Sequence, residues 1–171
     1  MITLPIETER LRIRPLEPAA DAEPLFELWG DPDAMRWFVR GASESVDAVR
    51  ERLEQIAGWS RSDWGLWALD ESETERFIGL AGLFPLAGEG PEIELAYHIV
   101  PSRWGRGYAT EAGSGLLEAA WRETDLDLVV AVAFEGNRGS TRVMEKLGMT
   151  YEGPTRYRDQ DLVRYSIARR R

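Results

Sequence analysis

From Glu92 to Phe134 the chain reads EIELAYHIV, PSRWGRG, YATEAGSGLLEAAWR, ETDLD and LVVAVAF, and this run decides the fold. Glu92 to Val100 alternates, with Ile93, Leu95, Tyr97 and Ile99 on one face and Glu94, Ala96 and His98 on the other, as a half-buried strand does. Tyr108 to Arg122 has helical spacing, and Leu128 to Phe134 is a short apolar run typical of a strand buried on both faces. Strand, helix and strand in this order make a crossover unit joining two parallel strands.

The flanking sequence predicts mostly antiparallel partners. Arg10 to Leu16 alternates as a strand, and helices are predicted from Pro18 through Trp29, closed by Gly30-Asp31-Pro32, and from Ser45 to Ala57. Trp64 to Leu69 and Arg76 to Phe84 read as a hairpin around the acidic turn Asp70-Glu71-Ser72-Glu73. A helix from about Gly139 to Leu147 ends at Gly148, and two closing strands, near Met149 to Glu152 and Leu162 to Ala168, flank a Gly153-Pro154 turn and a polar stretch from Arg156 to Asp161. The expected fold class is α/β with a mixed, mostly antiparallel central sheet, helices on both faces and one parallel pair near residues 92–134.

Composition narrows the chemistry. A chain of 171 residues with 43% hydrophobic and 30% charged residues is expected to form one domain, 1–171. The net charge of -9 repels phosphate backbones, so a nucleic-acid partner is not expected. No apolar run approaches a spanning helix and Met1 to Arg14 lacks a signal-peptide pattern; no membrane association and a cytoplasmic location are expected. With no Cys and a single His, thiolate catalysis, disulfides and the usual metal sites lack raw material, so no metal is expected. Carboxylates, hydroxyls, amides and backbone N–H groups remain for chemistry.

Arg103-Trp104-Gly105-Arg106-Gly107-Tyr108-Ala109 lies between strand and helix. Its glycines permit close backbone approach, the free N–H groups of a helix start point outward, and two guanidiniums suit phosphate oxygens. The same residues also suit a plain Gly-rich turn with solvated arginines. A dinucleotide-binding fingerprint is excluded, because its third glycine position is Thr110 and Asp127 falls at the start of the next strand rather than its end. Asn137-Arg138-Gly139-Ser140 opens the next helix, where Asn137 reads either as an N-cap or as an amide facing a ligand between parallel strands.

Taken together, Glu94 to Pro101, Trp104 to Ala112, Asn137 with Ser140, and Glu145 to Met149 closely resemble the GNAT acetyltransferases. With the opening Thr8 to Leu16, the chain resembles their Rim-type branch, which includes ribosomal-protein N-terminal acetyltransferases. Residues Pro32 to Arg61 match only in outline. The resemblance implies acetyl-CoA as acyl donor and a sheet splayed to hold it. The loop of Arg103, Trp104, Gly105, Arg106, Gly107, Tyr108 and Ala109 would bind the pyrophosphate. Backbone groups of Ile99 and Val100 would pair with the pantetheine arm, and Asn137 would bind it from the other side. Direct transfer to a primary amine, on a protein N-terminus or a small molecule, needs no acyl-enzyme nucleophile and so suits a chain without Cys.

Glu94 is the candidate base, with Glu92 of the same parity as its substitute. Many family members carry a Tyr seven residues after the Asn to protonate the departing thiolate; here that position is Met144, and Ser140 is the candidate donor instead. That departure leaves a rival reading, an acyl-CoA-binding sensor that has lost catalysis. Glu111 matches a family position and is expected to act through the helix dipole. His98 is read as structural. Among the seven Trp residues, Trp37 and Trp59 are the candidates for an acceptor groove. Residues 1–100 carry 9 basic and 20 acidic side chains and residues 101–171 carry 12 and 10, so a cationic acceptor drawn to a carboxylate-rich mouth is expected. A homodimer through a sheet edge or the last hairpin is compatible with the pattern.

Overall fold

The computed structural model describes residues 1–60, 64–157 and 159–170; Arg61 and Arg158, which fall in stretches read above, lie outside the described residues. Its strands are β1 Ile6–Glu7, β2 Leu11–Arg14, β3 Gly65–Glu71, β4 Arg76–Pro85, β5 Ile93–Ile99, β6 Leu128–Ala133, β7 Thr150–Tyr157 and β8 Gln160–Ala168. The helices are α1 Pro18–Trp29, α2 Pro32–Met35, α3 Val46–Trp59, α4 Tyr108–Glu123 and α5 Arg138–Lys146. One sheet runs β1-β2-β3-β4-β5-β6-β8-β7, antiparallel throughout except for β5 beside β6. This is the predicted mixed sheet.

Local chemistry accounts for the helix starts. Pro18 occupies the first turn of α1, where Asp21 accepts the Glu17 amide at 2.8 Å and the Arg14 guanidinium at 2.7 Å. Ser45 caps α3 by accepting the Ala48 amide at 3.1 Å, and Asp31 caps the short α2, for which no element was predicted. On β5 the alternation separates two environments. Leu95 faces α4, where a Cβ on Gly113 would lie 3.4 Å from its methyl group, and His98 faces Trp29 of α1. Helices therefore cover both faces. Fully buried Leu11, Ile13, Leu25, Leu53, Leu69 and Leu80 tie the layers together, each contributing about 1.5–3 kcal/mol of burial.

The parallel pair positions the site. β5 and β6 are in register only at Ile93 with Val129 and Glu94 with Val130. Beyond Glu94 they diverge, while β4 continues along β5 to Ile99 and β8 continues along β6 to Ala133. The result is a wedge in the middle of an otherwise continuous sheet.

The closing hairpin departs from the reading. Gly153-Pro154 was expected to turn the chain, yet both lie inside β7, where an irregularity between Tyr151 and Gly153 absorbs the glycine at φ 111°. Pairing with β8, anchored by buried Leu162, Val163 and Tyr165, carries β7 on to Tyr157.

Candidate active site

A cleft of about 730 Å³ opens from the wedge. That volume falls within the roughly 300–1,000 Å³ of small-molecule sites. Its floor is Glu94 to Ile99 of β5 and Val132 to Phe134 at the end of β6. One side is the start of α4 and α5, the other residues 36–39 beyond α2.

The start of α4 is a cradle built on backbone. Gly105 and Gly107 have φ of 75° and 84°, a region that penalises every L side chain. A Cβ on Gly107 would meet nothing nearer than an Arg10 nitrogen at 3.6 Å, so its conformation and not crowding requires glycine. The Glu111 amide bonds to the Gly107 carbonyl at 3.0 Å, whereas the amides of the three residues before it have no acceptor among the described residues. The cradle is clamped from two sides. Glu71, at the end of β3, accepts from the Tyr108 hydroxyl at 2.6 Å and from Arg103 at 3.1 and 3.3 Å. The Tyr108 hydroxyl, with Thr74 and Arg103, holds the Glu71 carboxyl below its ordinary range. From just before β2, Arg10 donates to the Arg106 carbonyl at 3.1 Å and lies over the Tyr108 ring at 4.7 Å.

Glu111 secures that second clamp. It accepts from the Thr8 hydroxyl at 2.6 Å, the Arg10 amide at 2.7 Å and the Arg10 guanidinium at 2.7 Å. Burial opposes its ionisation, yet Thr8 and Arg10 together bring its carboxyl below the ordinary range. From the first turn of α4, where the dipole effect was expected, it thus also tethers the segment that leads into β2. Arg103, predicted as a phosphate ligand, is committed to Glu71; the Arg106 side chain is exposed and makes no hydrogen bond or ion pair among the described residues.

The two predicted backbone partners separate. Val100 donates its amide to Ile78 at 3.0 Å and its carbonyl accepts the Arg103 amide at 2.9 Å, so neither group is open to a ligand. Antiparallel pairing alternates, and because Val100 and His98 bond toward β4, the backbone groups of Tyr97 and Ile99 point into the wedge. The Ile99 carbonyl already accepts the Trp104 indole N–H at 2.6 Å, which leaves the Ile99 amide and both groups of Tyr97 facing the opening. Tyr97 was missed because it was read by its side chain alone. On the far side Asn137 is the N-cap of one of its two readings. Its carbonyl oxygen caps α5 by accepting the Ser140 amide at 3.2 Å, and the residue lines the cleft.

At the throat, Glu94 is 7% exposed and accepts from the Tyr157 hydroxyl at 3.5 Å. Glu92 is not its equivalent. Arg164 grips it with bonds of 2.9 and 2.5 Å and keeps its carboxyl below the ordinary range. Ser140 lines the cleft with its hydroxyl 3.0 Å from that of Tyr97, whose phenol is pushed up by burial and stays protonated. Met144 is 1% exposed and packs with Ala131, Ala133 and Met149, filling the second core cluster where a tyrosine would reach the site.

The remaining wall is aromatic. Phe38 packs edge-on against His98 at 4.7 Å, and Trp37 reaches across to Phe134 at 6.3 Å over Gly136, where a Cβ would lie 3.0 Å from the indole. His98 accepts the Trp29 indole N–H at 3.3 Å; burial, with Arg52 adding repulsion, pushes its pKa down to about 3. It is a neutral structural imidazole, as expected. Trp59 sits edge-on against Phe84 at 5.7 Å, away from the cleft. The mouth is not rich in carboxylates. Glu94 is the single acid among the lining residues described, against Arg36, Arg103, Arg138, Arg142 and Lys146. The acidic excess of residues 1–100 lies elsewhere, so the basis for expecting a cationic acceptor is absent.

Known proteins share this fold. Residues 10–150 match the model of the acetyltransferase (GNAT) domain. The uncharacterised N-acetyltransferase YoaA of Bacillus subtilis is 28% identical over 152 residues, 88% of this chain and 85% of its own. YdaF of the same organism, described provisionally as a ribosomal N-acetyltransferase, is 31% identical over 173 residues, covering 95% and 93%. A GNAT-family acetyltransferase from Bacillus anthracis superposes with a TM-score of 0.83 at 26% identity, covering 95% of this chain and 97% of that one. The match runs from Arg10, just before β2, to the first residue of β7 and so takes in the wedge, the cradle and α5: this chain belongs to the GNAT acetyltransferases, a family of acyltransferase enzymes.

Proposed function

We propose that this chain is an acetyl-CoA-dependent N-acetyltransferase of the Rim-type branch, passing acetyl directly to a primary amine on a protein N-terminus or a small molecule. The observation that carries the reading is the wedge beyond Glu94, bordered on one side by a backbone cradle and at its throat by a buried carboxylate. The residues present fit the donor: positive-φ glycines, open amides at the α4 start and the cations Arg106, Arg138 and Arg142 suit a pyrophosphate. Tyr97 and Ile99 would pair with the pantetheine amides, and Asn137 would face them from α5.

Bound acetyl-CoA supplies an activated thioester carbonyl. The chain's own task is the proton. A peptide α-amine is about 10–20% free base at pH 7, since its pKa is near 8, so an N-terminus can attack without prior deprotonation by the enzyme. One proton must still leave the nitrogen as the amide forms, and Glu94 takes it, directly or through water. Glu92 is held by Arg164 and is out of this role. The Ser140 hydroxyl, oriented by Tyr97, is the donor available to the leaving sulfur, and a thiol of pKa near 8.5 leaves with little assistance.

Release of free CoA from acetyl-CoA, followed with a thiol reagent against a panel of N-terminal peptides, polyamines, amino acids and aminoglycosides, tests the reading. The chain holds no Cys, so it contributes no background. Amine-dependent thiol release is expected; CoA binding without release by any amine would overturn it.

A further inference from the structure

On the face of β5 turned toward α1, Glu94, Ala96 and His98 follow one another two residues apart, and all three line the cleft. Between a carboxylate and an imidazole, Ala96 contributes only a methyl group. Its partner on β4 is Gly82, where a Cβ would collide with the Gly65 carbonyl oxygen, so that position can carry no side chain. On the other flank β6 has already parted from β5, whose pairing ends with Glu94 beside Val130. The floor of the cleft is therefore hollow at Ala96, one same-face step of about 6.5 Å from the candidate base.

The walls around that hollow are apolar. Leu28 of α1 and Ala34 of α2 are buried at its side, and Phe38 stands edge-on to the His98 ring at 4.7 Å. Trp37 braces the rim against the turn after β6, with its ring 6.3 Å from that of Phe134 and so close to the Gly136 backbone that a Cβ there would lie 3.0 Å away. The polar groups on this side are already committed. His98 is neutral and accepts from the Trp29 indole, and Arg36 lies over the Trp37 ring at 5.1 Å while donating to the Asp33 carbonyl. Glu94 is the single acid among the lining residues described. One carboxylate can receive one ammonium. A second ammonium on the same acceptor would leave water for an apolar wall beside a guanidinium, whereas an aromatic ring gains there by burial and by contact with other rings.

Resting on the acetyltransferase reading above, we propose that the acceptor is a monoamine whose nitrogen is carried by an apolar group of aromatic size, with the nitrogen at Glu94 and the ring over Ala96 against Phe38 and His98. Two carbons between nitrogen and ring span about one same-face step of the strand. A phenylalanyl N-terminus and an arylethylamine share that spacing. Polyamines and aminoglycosides, which carry several ammonium groups and no apolar body, do not fit the hollow. This replaces the cationic acceptor expected from charge counts alone.

The test follows acetyl-CoA-dependent thiol release with phenylalanine amide, alanine amide, lysine amide, spermidine, phenethylamine and a peptide beginning in Phe. Phenylalanine amide is expected to exceed alanine amide at least about tenfold in kcat/KM, mostly through KM, with lysine amide and spermidine poorest. Turnover of the peptide assigns the amine to an N-terminus and turnover of phenethylamine assigns it to a small molecule; either supports the inference. In A96L, which fills the hollow, the ratio of phenylalanine amide to alanine amide is expected to fall below about twofold. Calorimetric CoA binding shows whether that variant is folded. W37L, at the half-buried rim, serves as a second variant in which the ratio should fall at least about threefold. A parent that takes the two amides equally well, or that prefers lysine amide or spermidine, would overturn this inference and leave the enzyme reading intact, as would a ratio unchanged in both variants. No release with any amine would overturn both.

Discussion

The two walls of the cleft are built in opposite ways. On the cradle side, from Arg103 to Glu111, the side chains that fix the backbone are paired: Arg103 with Glu71, Tyr108 with Glu71, Arg10 with Glu111 and with the Arg106 carbonyl. On the other side, residues 36–40 have aromatic packing and guanidiniums with no carboxylate partner described. A wall whose charges are satisfied internally is shaped before its ligand arrives and so suits an invariant one. A wall of aromatic packing is completed by what binds there. Under the proposed function the paired wall would take the donor, common to the reaction, and the other wall the variable acceptor.

The harshest way to break the contrast is to deform the cradle. Gly107→Val places a β-branched residue at φ 84° and displaces the first amides of α4. CoA affinity, measured by calorimetry, is expected to fall at least about a hundredfold, near 2.7 kcal/mol, while circular dichroism still reports a folded chain. Affinity within a factor of about two of the parent would remove the cradle assignment. Next in size is the throat. Glu94→Gln keeps the shape of the side chain and its contact with Tyr157 but cannot take a proton. Turnover is expected to drop at least about tenfold, 1.4 kcal/mol of barrier, with CoA binding retained; an unchanged kcat would exclude Glu94 as the base.

The aromatic wall is tested through acid. His98 is neutral in the fold with a pKa near 3 against 6.5 in the unfolded chain. The unfolded state therefore binds the extra proton first, and the stability this residue lends is complete above pH 6.5 and declines as pH falls toward 3. Below pH 6.5 the slope approaches about 1.4 kcal/mol per unit. His98→Phe keeps a ring against Phe38 but strands the Trp29 indole N–H, which costs about 1–3 kcal/mol at every pH. Urea midpoints between pH 7.5 and 5.5 should fall less steeply for the variant than for the parent; parallel curves would show that the imidazole does not titrate as described.

What was legible in the sequence follows the same division. The wedge and cradle could be read because backbone demands leave residue signatures: Gly at positive φ, Asn at a helix start, a doubly buried apolar run. Fine placement on β5 was not. Whether Val100 or Tyr97 opens to the wedge depends on strand register and on the turn that consumes Val100, which no local pattern encodes. Gly153-Pro154 looks like a turn until pairing with β8 carries the strand through it. Arg36 and Arg40, which have no carboxylate partner described, were hidden by counting charges over a hundred residues. A net of many acids says nothing about which charges line one cleft, where Glu94 is the single acid among the lining residues described.

The smallest effect separates shaping from binding on the cradle side. Glu71 touches the loop at Arg103 and Tyr108 but does not line the cleft, so it acts as a positioning residue. Glu71→Gln keeps an acceptor for the Tyr108 hydroxyl and removes the charge that holds Arg103. If the loop is preorganised by that ion pair, releasing Arg103 should raise KM for acetyl-CoA by about threefold to fivefold, up to ~1 kcal/mol, and leave kcat at saturating donor unchanged. Glu71→Asp, which restores the charge on a shorter arm, should recover part of the loss. A variant with lowered kcat and unaltered KM would place Glu71 in the chemistry instead. One with both constants unaltered would show that the Arg10–Glu111 tether suffices to hold the cradle, so that the paired wall has a spare clamp which the acceptor wall lacks.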